Sequence, residues 1–122
     1  MIAIIDYGMG NLASVSNAFT KIGCENMITQ NPEQILTADR VVLPGVGAFA
    51  DAIKNIRNLG IDKTIYEIVR RNTPLLGVCL GYQLLFSESD EDGLHQGLDI
   101  IAGRVEKIQL PATFKVPHMG WN

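Results

Sequence analysis

The sequence of 122 residues has few cysteines, little charge of either sign and no long unbroken apolar run. Its two cysteines, Cys24 and Cys79, are too few for a disulfide framework. Ten basic and thirteen acidic residues leave a net charge of -3 and no basic stripe, so no nucleic-acid partner is expected. The longest uncharged run, residues 72–87, is broken by Pro74 and two glycines, and the N-terminus lacks a secretory signal pattern. These absences predict a reduced, cytoplasmic protein without a membrane partner.

Short apolar runs alternate with segments of helical periodicity. The runs Ile2–Ile5, Val41–Leu43 and 74–78 predict buried parallel strands, and a weaker run predicts another at Asn26–Thr29. The alternation predicts a three-layer α/β fold, a mainly parallel sheet with helices on both faces, in a single domain over residues 1–122. Helices are expected over residues 11–22, 49–56, 61–69 and 80–86, a turn at Pro32, a polar loop over residues 87–97 and an antiparallel or edge strand over residues 104–108.

Residues 77–81, Gly-Val-Cys-Leu-Gly, have the G-x-nucleophile-x-G spacing of a nucleophile elbow. In that turn the nucleophile has strained backbone angles between a strand and a helix, so its neighbours two residues away must be small. The backbone N–H groups that follow can hold a developing oxyanion. The spacing therefore predicts Cys79 as a nucleophile, the alternative being a buried structural cysteine between two packing glycines.

A second glycine-rich segment, Pro44–Gly47, follows the predicted strand Val41–Leu43. It reads either as an ordinary Gly/Pro turn or, opposite an elbow cysteine, as a backbone that offers the Val46 N–H to the oxyanion. A cysteine nucleophile usually needs a histidine base, and the chain has two histidines. His95 lies in the acidic polar loop and is expected to be solvated, and His118 is expected to be a turn or interface residue. No metal site and no cofactor are predicted.

Four segments together resemble the glutaminase subunits of imidazole glycerol phosphate synthase, which are class I, triad-type glutamine amidotransferases of histidine biosynthesis. The resemblance covers the whole chain in order, and the second and fourth segments are more specific than the elbow. The segments are residues 6–12 (Asp-Tyr-Gly-Met-Gly-Asn-Leu), 43–49 (Leu-Pro-Gly-Val-Gly-Ala-Phe), 76–86 (Leu-Gly-Val-Cys-Leu-Gly-Tyr-Gln-Leu-Leu-Phe) and 116–122 (Val-Pro-His-Met-Gly-Trp-Asn).

The resemblance implies a flavodoxin-like fold and a role for each matching residue. Cys79 attacks the side-chain amide of glutamine, giving a thioester and ammonia, and water then releases glutamate. The remaining roles are oxyanion-hole N–H groups from Leu80 and the segment Gly45–Val46–Gly47, glutamine binding by Gln83 and the segment around Gly45 and Gly47, and a partner interface at Asn11, His118 and Trp121.

The partner that the resemblance implies is a cyclase subunit, a (β/α)₈ barrel. The barrel carries ammonia to a phosphoribulosyl aminoimidazole-carboxamide nucleotide and forms imidazole glycerol phosphate and aminoimidazole carboxamide ribotide. Glutaminase activity is expected to depend on the partner's substrate, with the peptide of the Pro44–Gly47 segment as the switch.

The sequence departs from the family pattern in one respect. The family carries its base in a His-x-Glu-type pair well downstream of the Pro-His-Met-Gly-Trp-Asn motif, and residues 1–122 contain no such pair. The expectation is an N-terminal fragment that holds the nucleophile and oxyanion hole without the base and has negligible activity alone.

Three other readings stay open on the residues. One is a paralogous amidotransferase subunit that supplies ammonia to surface-sugar biosynthesis. Another is a different cysteine enzyme on a flavodoxin-like sheet, in which an acidic residue lies beside the nucleophile. The third is a non-catalytic module that docks on the barrel.

Overall fold

The structure is a computed structural model that describes residues 1–109 and Pro111. Strands and helices alternate along the first two thirds of the chain, as the apolar pattern predicts. In chain order the elements are β1 (Ile2–Ile5), α1 (Leu12–Lys21), β2 (Asn26–Thr29), α2 (Pro32–Thr37), β3 (Arg40–Leu43), α3 (Phe49–Asn58), α4 (Ile61–Arg70), β4 (Leu75–Gly77), α5 (Leu80–Gln83), β5 (Phe86–Ser89), β6 (His95–Gln96) and β7 (Ile101–Val105).

Four strands form a wholly parallel sheet in the order β2-β1-β3-β4. The chain moves from β1 outward to β2, then returns across β1 to β3 and β4, so the strand order reverses between β1 and β3. The carboxyl ends of these two strands therefore lie side by side, with β4 next to β3. Crevices at such a reversal are where open α/β sheets bind their ligands.

The two faces of β1 pack into two separate apolar clusters, because successive side chains of a strand point to opposite faces. Ala3 and Ile5 are fully buried in a cluster that α2, α3 and α4 cover with their apolar faces. Ile2 and Ile4 belong to the other cluster, which α1 covers with partly buried side chains such as Phe19. The prediction of a parallel sheet with helices on both faces is confirmed.

A small second sheet follows, in the order β6-β5-β7, where β5 pairs antiparallel with β6 and parallel with β7. The polar loop predicted over residues 87–97 is confirmed only for residues 90–94, between β5 and β6. The rest of that prediction is wrong, because cross-strand partners satisfy the polar side chains there. The Ser87 hydroxyl donates to Asp99 at 2.6 Å and accepts the Gly103 N–H at 3.2 Å. The expected edge strand exists as β7, but it begins at Ile101 rather than Arg104.

Two helix boundaries also differ from the predictions. Pro32 opens α2 rather than a turn, because the Asn31 side chain accepts the Glu33 N–H at 2.9 Å and proline is favourable in a first helical turn. The helix expected over residues 80–86 is a single turn, because Phe86 already belongs to β5. No helix in residues 1–109 is long and apolar enough to cross a membrane.

Candidate active site

Cys79 occupies the sharp turn between β4 and α5. Its backbone angles are φ 56° and ψ -123°, a conformation that a residue with a Cβ rarely adopts. The residue is exposed and its thiol is free. The turn therefore exposes Cys79 to solvent at the carboxyl edge of the parallel sheet.

The two glycines of the elbow are required by close backbone approach. A Cβ at Gly77 would lie 2.6 Å from the Cα of Tyr82, and a Cβ at Gly81 would overlap the carbonyl oxygen of Leu43. Close contact with α5 thus requires glycine at position 77, and close contact with the end of β3 requires glycine at position 81. Both are backbone contacts, which cannot move aside as a flexible side chain could.

The segment Pro44–Gly47 lies directly against the elbow. The Val78 N–H donates to the carbonyl of Leu43 at 3.0 Å, and the Leu80 N–H donates to the carbonyl of Gly45 at 3.2 Å. These bonds place the glycine-rich segment and Cys79 side by side, although they are distant in sequence.

The Leu80 N–H, one of the two expected oxyanion donors, is thus occupied by the chain's own Gly45 carbonyl. The other expected donor, the Val46 N–H, has no hydrogen bond within residues 1–109, and Val46 is exposed. Rotating the peptide between Gly45 and Val46 would withdraw the carbonyl and turn the Val46 N–H toward the same space. This rotation changes the ψ of Gly45 and the φ of Val46, and the absence of a side chain at Gly45 removes one steric barrier to it.

Gln83 and Asn11 lie at the same edge of the sheet. Gln83 ends α5, one turn after Cys79. Its N–H donates to the carbonyl of Cys79 at 3.3 Å, and the residue is half-buried. Asn11 precedes α1 and is exposed, and its side chain makes no capping hydrogen bond. The residues predicted at the partner interface, His118 and Trp121, lie outside the described residues.

No general base is evident among the described residues. Within residues 1–109, the Cys79 thiol makes no hydrogen bond with a side chain. His95, the histidine in this range, lies in β6, where its Nε2 is 2.7 Å from the carbonyl oxygen of Asp92. The same part of the chain holds no group of three His, Cys, Asp or Glu side chains that could bind a metal ion.

Sequence reasoning missed Tyr7, which lies at the site. Its side chain is 1% exposed, and its hydroxyl donates to the carbonyl of Pro44 at 2.7 Å. Burial raises the pKa of the Tyr7 phenol well above its ordinary value, so the phenol stays protonated and remains a donor. The signal in the sequence is a large aromatic residue directly after a buried strand, between Asp6 and Gly8.

An exposed elbow cysteine at the carboxyl edge of a parallel α/β sheet, beside a glycine-rich segment, is the arrangement found in one class of enzyme. A profile of that class, class-I glutamine amidotransferases, matches residues 3–122, and the chain belongs to this family. The resemblance inferred from the four sequence segments is confirmed at this level.

Several curated relatives have the name imidazole glycerol phosphate synthase subunit HisH. The chain is 54% identical over 121 residues to the protein of Moorella thermoacetica, covering 99% of this chain and 57% of the relative. It is 51% identical over 122 residues to that of Rhodopirellula baltica, covering 100% of this chain and 60% of the relative. The chain therefore spans about three fifths of the length of these relatives.

A solved glutamine amidotransferase structure has the same fold. It superposes with a TM-score of 0.73 at 20% identity, covering 87% of this chain and 56% of that chain. This likeness confirms the α/β fold.

Proposed function

We propose that the chain provides the nucleophile and oxyanion hole of a glutaminase subunit of imidazole glycerol phosphate synthase. In this role it hydrolyses glutamine to glutamate and supplies ammonia to a cyclase for histidine biosynthesis. The observation that carries the proposal is the exposed, strained Cys79 facing a glycine-rich segment whose peptide can supply a second N–H. The shared name of relatives near 50% identity favours this reading over a surface-sugar paralogue.

The reaction follows from the chemistry of a thiol nucleophile. The Cys79 sulfur, once deprotonated, attacks the side-chain carboxamide carbon of glutamine, and the carbonyl oxygen becomes an oxyanion. When that intermediate collapses, the C–N bond breaks, nitrogen takes a proton and leaves as ammonia, and a thioester remains on sulfur. Water then adds to the thioester, the C–S bond breaks, and glutamate and the free thiol are released.

The oxyanion of each step is held by the N–H groups of Leu80 and Val46. Since the Gly45 carbonyl fills the Leu80 position in this structure, the peptide between Gly45 and Val46 must rotate before the hole can act. Losing one donor of an oxyanion hole typically lowers the rate by about 100- to 1000-fold. The unrotated peptide therefore keeps the glutaminase nearly inactive, and rotation is the step that a partner's substrate would favour.

The proton of the Cys79 thiol goes to a base outside residues 1–109. Within that range His95 lies in β6 of the second sheet, where its ring is hydrogen-bonded to the Asp92 carbonyl. Cys79 follows β4 of the parallel sheet. Gln83 and the backbone around Gly47 would bind the glutamine substrate, because they lie beside the elbow and carry polar groups of the right kind.

The partner proposed is the (β/α)₈-barrel cyclase, and Asn11 contacts it. The support from this chain is that Asn11 is exposed at the carboxyl edge of the sheet and that its side chain does not cap α1.

A cytoplasmic location is part of the same proposal, in keeping with two free thiols. Glutamine labelled with ¹⁵N in its amide, given to the assembled complex, should place ¹⁵N in the cyclase product.

Covalent labelling tests the nucleophile directly. In the folded complex with the cyclase and its substrate, the chloroketone analogue of glutamine should add to Cys79 and not to Cys24, which is partly buried against the apolar cluster of Ile2, Ile4 and Val42. An excess of glutamine should slow the reaction, Cys79→Ser should abolish it, and Cys24→Ser should leave it unchanged. Equal labelling of both cysteines, or labelling that glutamine does not slow, would favour the non-catalytic docking module instead.

A further inference from the structure

The oxyanion segment is anchored at its first residue by a buried side chain from another strand. Tyr7 follows β1 and its hydroxyl donates to the carbonyl of Pro44 at 2.7 Å, across 37 positions of sequence. The phenol is 1% exposed, so water does not compete for the bond. Within residues 1–109 the Pro44 carbonyl accepts from no other donor, so Tyr7 supplies the hydrogen bond that orients this carbonyl.

The backbone of Tyr7 is itself held by a hydrogen bond. The Asn55 side chain, on α3, donates to the Tyr7 carbonyl at 3.3 Å. A Cβ at Gly45 would overlap the Tyr7 hydroxyl oxygen, so the phenol fills the space directly over the segment that must move. The phenol hydroxyl therefore binds the Pro44 carbonyl and also lies beside the Cα of Gly45.

Two bonds hold consecutive carbonyls of this segment by different means. The Pro44 carbonyl is held by a buried side-chain donor, whereas the Gly45 carbonyl is held by the Leu80 N–H that the oxyanion needs. Only the second bond has to break when the hole forms. The first can persist through the rotation, because turning one peptide plane about its flanking Cα bonds leaves the preceding plane in place.

We infer that Tyr7 is a positioning residue for the oxyanion hole: its hydroxyl fixes the peptide between Pro44 and Gly45 so that the next peptide, between Gly45 and Val46, rotates alone. The inference rests on the proposed function, in which the Val46 N–H becomes an oxyanion donor. When the preceding peptide is fixed, the Val46 N–H takes a single position after the rotation. When that peptide is loose, the N–H takes several positions. Preorganised donors are what make an oxyanion hole effective.

Tyr7→Phe removes the hydroxyl and keeps the ring. Tyr66→Phe is the matched control, because the Tyr66 hydroxyl also donates to a backbone carbonyl, that of Leu98, at 2.9 Å. Asn55→Ala is a second variant that loosens Tyr7 without changing it, and a smaller effect in the same direction is expected.

Amide hydrogen exchange measures the hold on the segment whatever the activity. The Leu80 amide should exchange about tenfold faster in Tyr7→Phe, relative to the Val41 amide, which donates to Pro74 at 2.9 Å in the sheet. Tyr66→Phe should leave that ratio unchanged. If Tyr7→Phe moves the ratio no more than Tyr66→Phe does, the inference is overturned.

Labelling of Cys79 then separates this inference from the proposed function. The rate with the chloroketone analogue of glutamine, divided by the rate with iodoacetamide, should fall about tenfold in Tyr7→Phe and not in Tyr66→Phe. These labelling rates are measured in the complex with the cyclase and its substrate. Failure of the wild-type complex to react selectively with the chloroketone overturns the function, while the exchange ratio still decides whether Tyr7 holds the segment. Normal selectivity in Tyr7→Phe overturns the positioning role and leaves the function standing.

Discussion

Backbone strain at Cys79 gives a stability test that needs no substrate. Cys79 has φ 56° and ψ -123°, and a residue with a Cβ pays about 1–3 kcal/mol to stay in such a region. Glycine removes that strain, while it costs about 0.5–1 kcal/mol through the greater freedom of the unfolded chain. The difference predicts that Cys79→Gly is more stable than Cys79→Ala by about 1 kcal/mol. For a chain of this size that difference raises the melting temperature by about 4 °C.

Both variants lack the thiol, so comparing them isolates the backbone. Urea and thermal unfolding of each would give the two free energies. The control pair compares wild type with Ala18→Gly, at an exposed position inside α1, where glycine should lower stability by about 1 kcal/mol. If Cys79→Gly is less stable than Cys79→Ala, the elbow is not strained and the reasoning from its backbone angles fails.

Three further substitutions have expected outcomes. Gly81→Ala should lower the free energy of unfolding by at least about 2 kcal/mol in urea melts, because its Cβ meets the Leu43 carbonyl. Gly47→Ala should cost about 2 kcal/mol, since its φ of 108° disfavours a side chain. Hydrogen bonds from Arg70 and the following arginine lower the pKa of Glu67 to about 2. That stabilisation is present above the ordinary pKa of 4.5 and lost as pH falls toward 2, so Glu67→Gln should flatten the acid side of the stability profile.

The catalytic core of the fold could be predicted because each of its elements has a short, self-sufficient signal. The bounds of β1 and β2 match the prediction, since unbroken apolar or β-branched runs between turn residues allow little else. The elbow spacing predicted the turn at Cys79 because only glycine avoids the backbone contacts on either side. The family resemblance added the assignment of roles, which periodicity alone does not supply.

The remaining features depend on contacts between distant segments. β5 is polar, and it forms a strand because its side chains find partners such as Asp99 and Arg104 across the second sheet. Nothing local marks those partners. Tyr7 reads as an ordinary core aromatic, and its role emerges only when the sheet order brings the ends of β1 and β3 together. The same holds for the Gly45 carbonyl, because no sequence pattern predicts its hydrogen bond to the Leu80 N–H.

Under the proposed function, these contacts explain how the fold keeps the nucleophile inactive without burying it. Cys79 is exposed in this structure, while the Leu80 N–H proposed for the oxyanion hole is occupied by one carbonyl of the neighbouring segment. In that proposal, a rotation of one peptide in the glycine-rich segment opens the hole and leaves the sheet unchanged.

The most direct test of the account is a crystal structure of the protein with Cys79 alkylated by the chloroketone analogue of glutamine. The ketone oxygen stands in for the amide oxygen of the substrate. We expect this oxygen to accept hydrogen bonds from the N–H groups of Leu80 and Val46, with the Gly45 carbonyl turned away and the Tyr7 hydroxyl still bonded to Pro44. An adduct in which the Gly45 carbonyl keeps its bond to Leu80, and the ketone oxygen lies elsewhere, would contradict it.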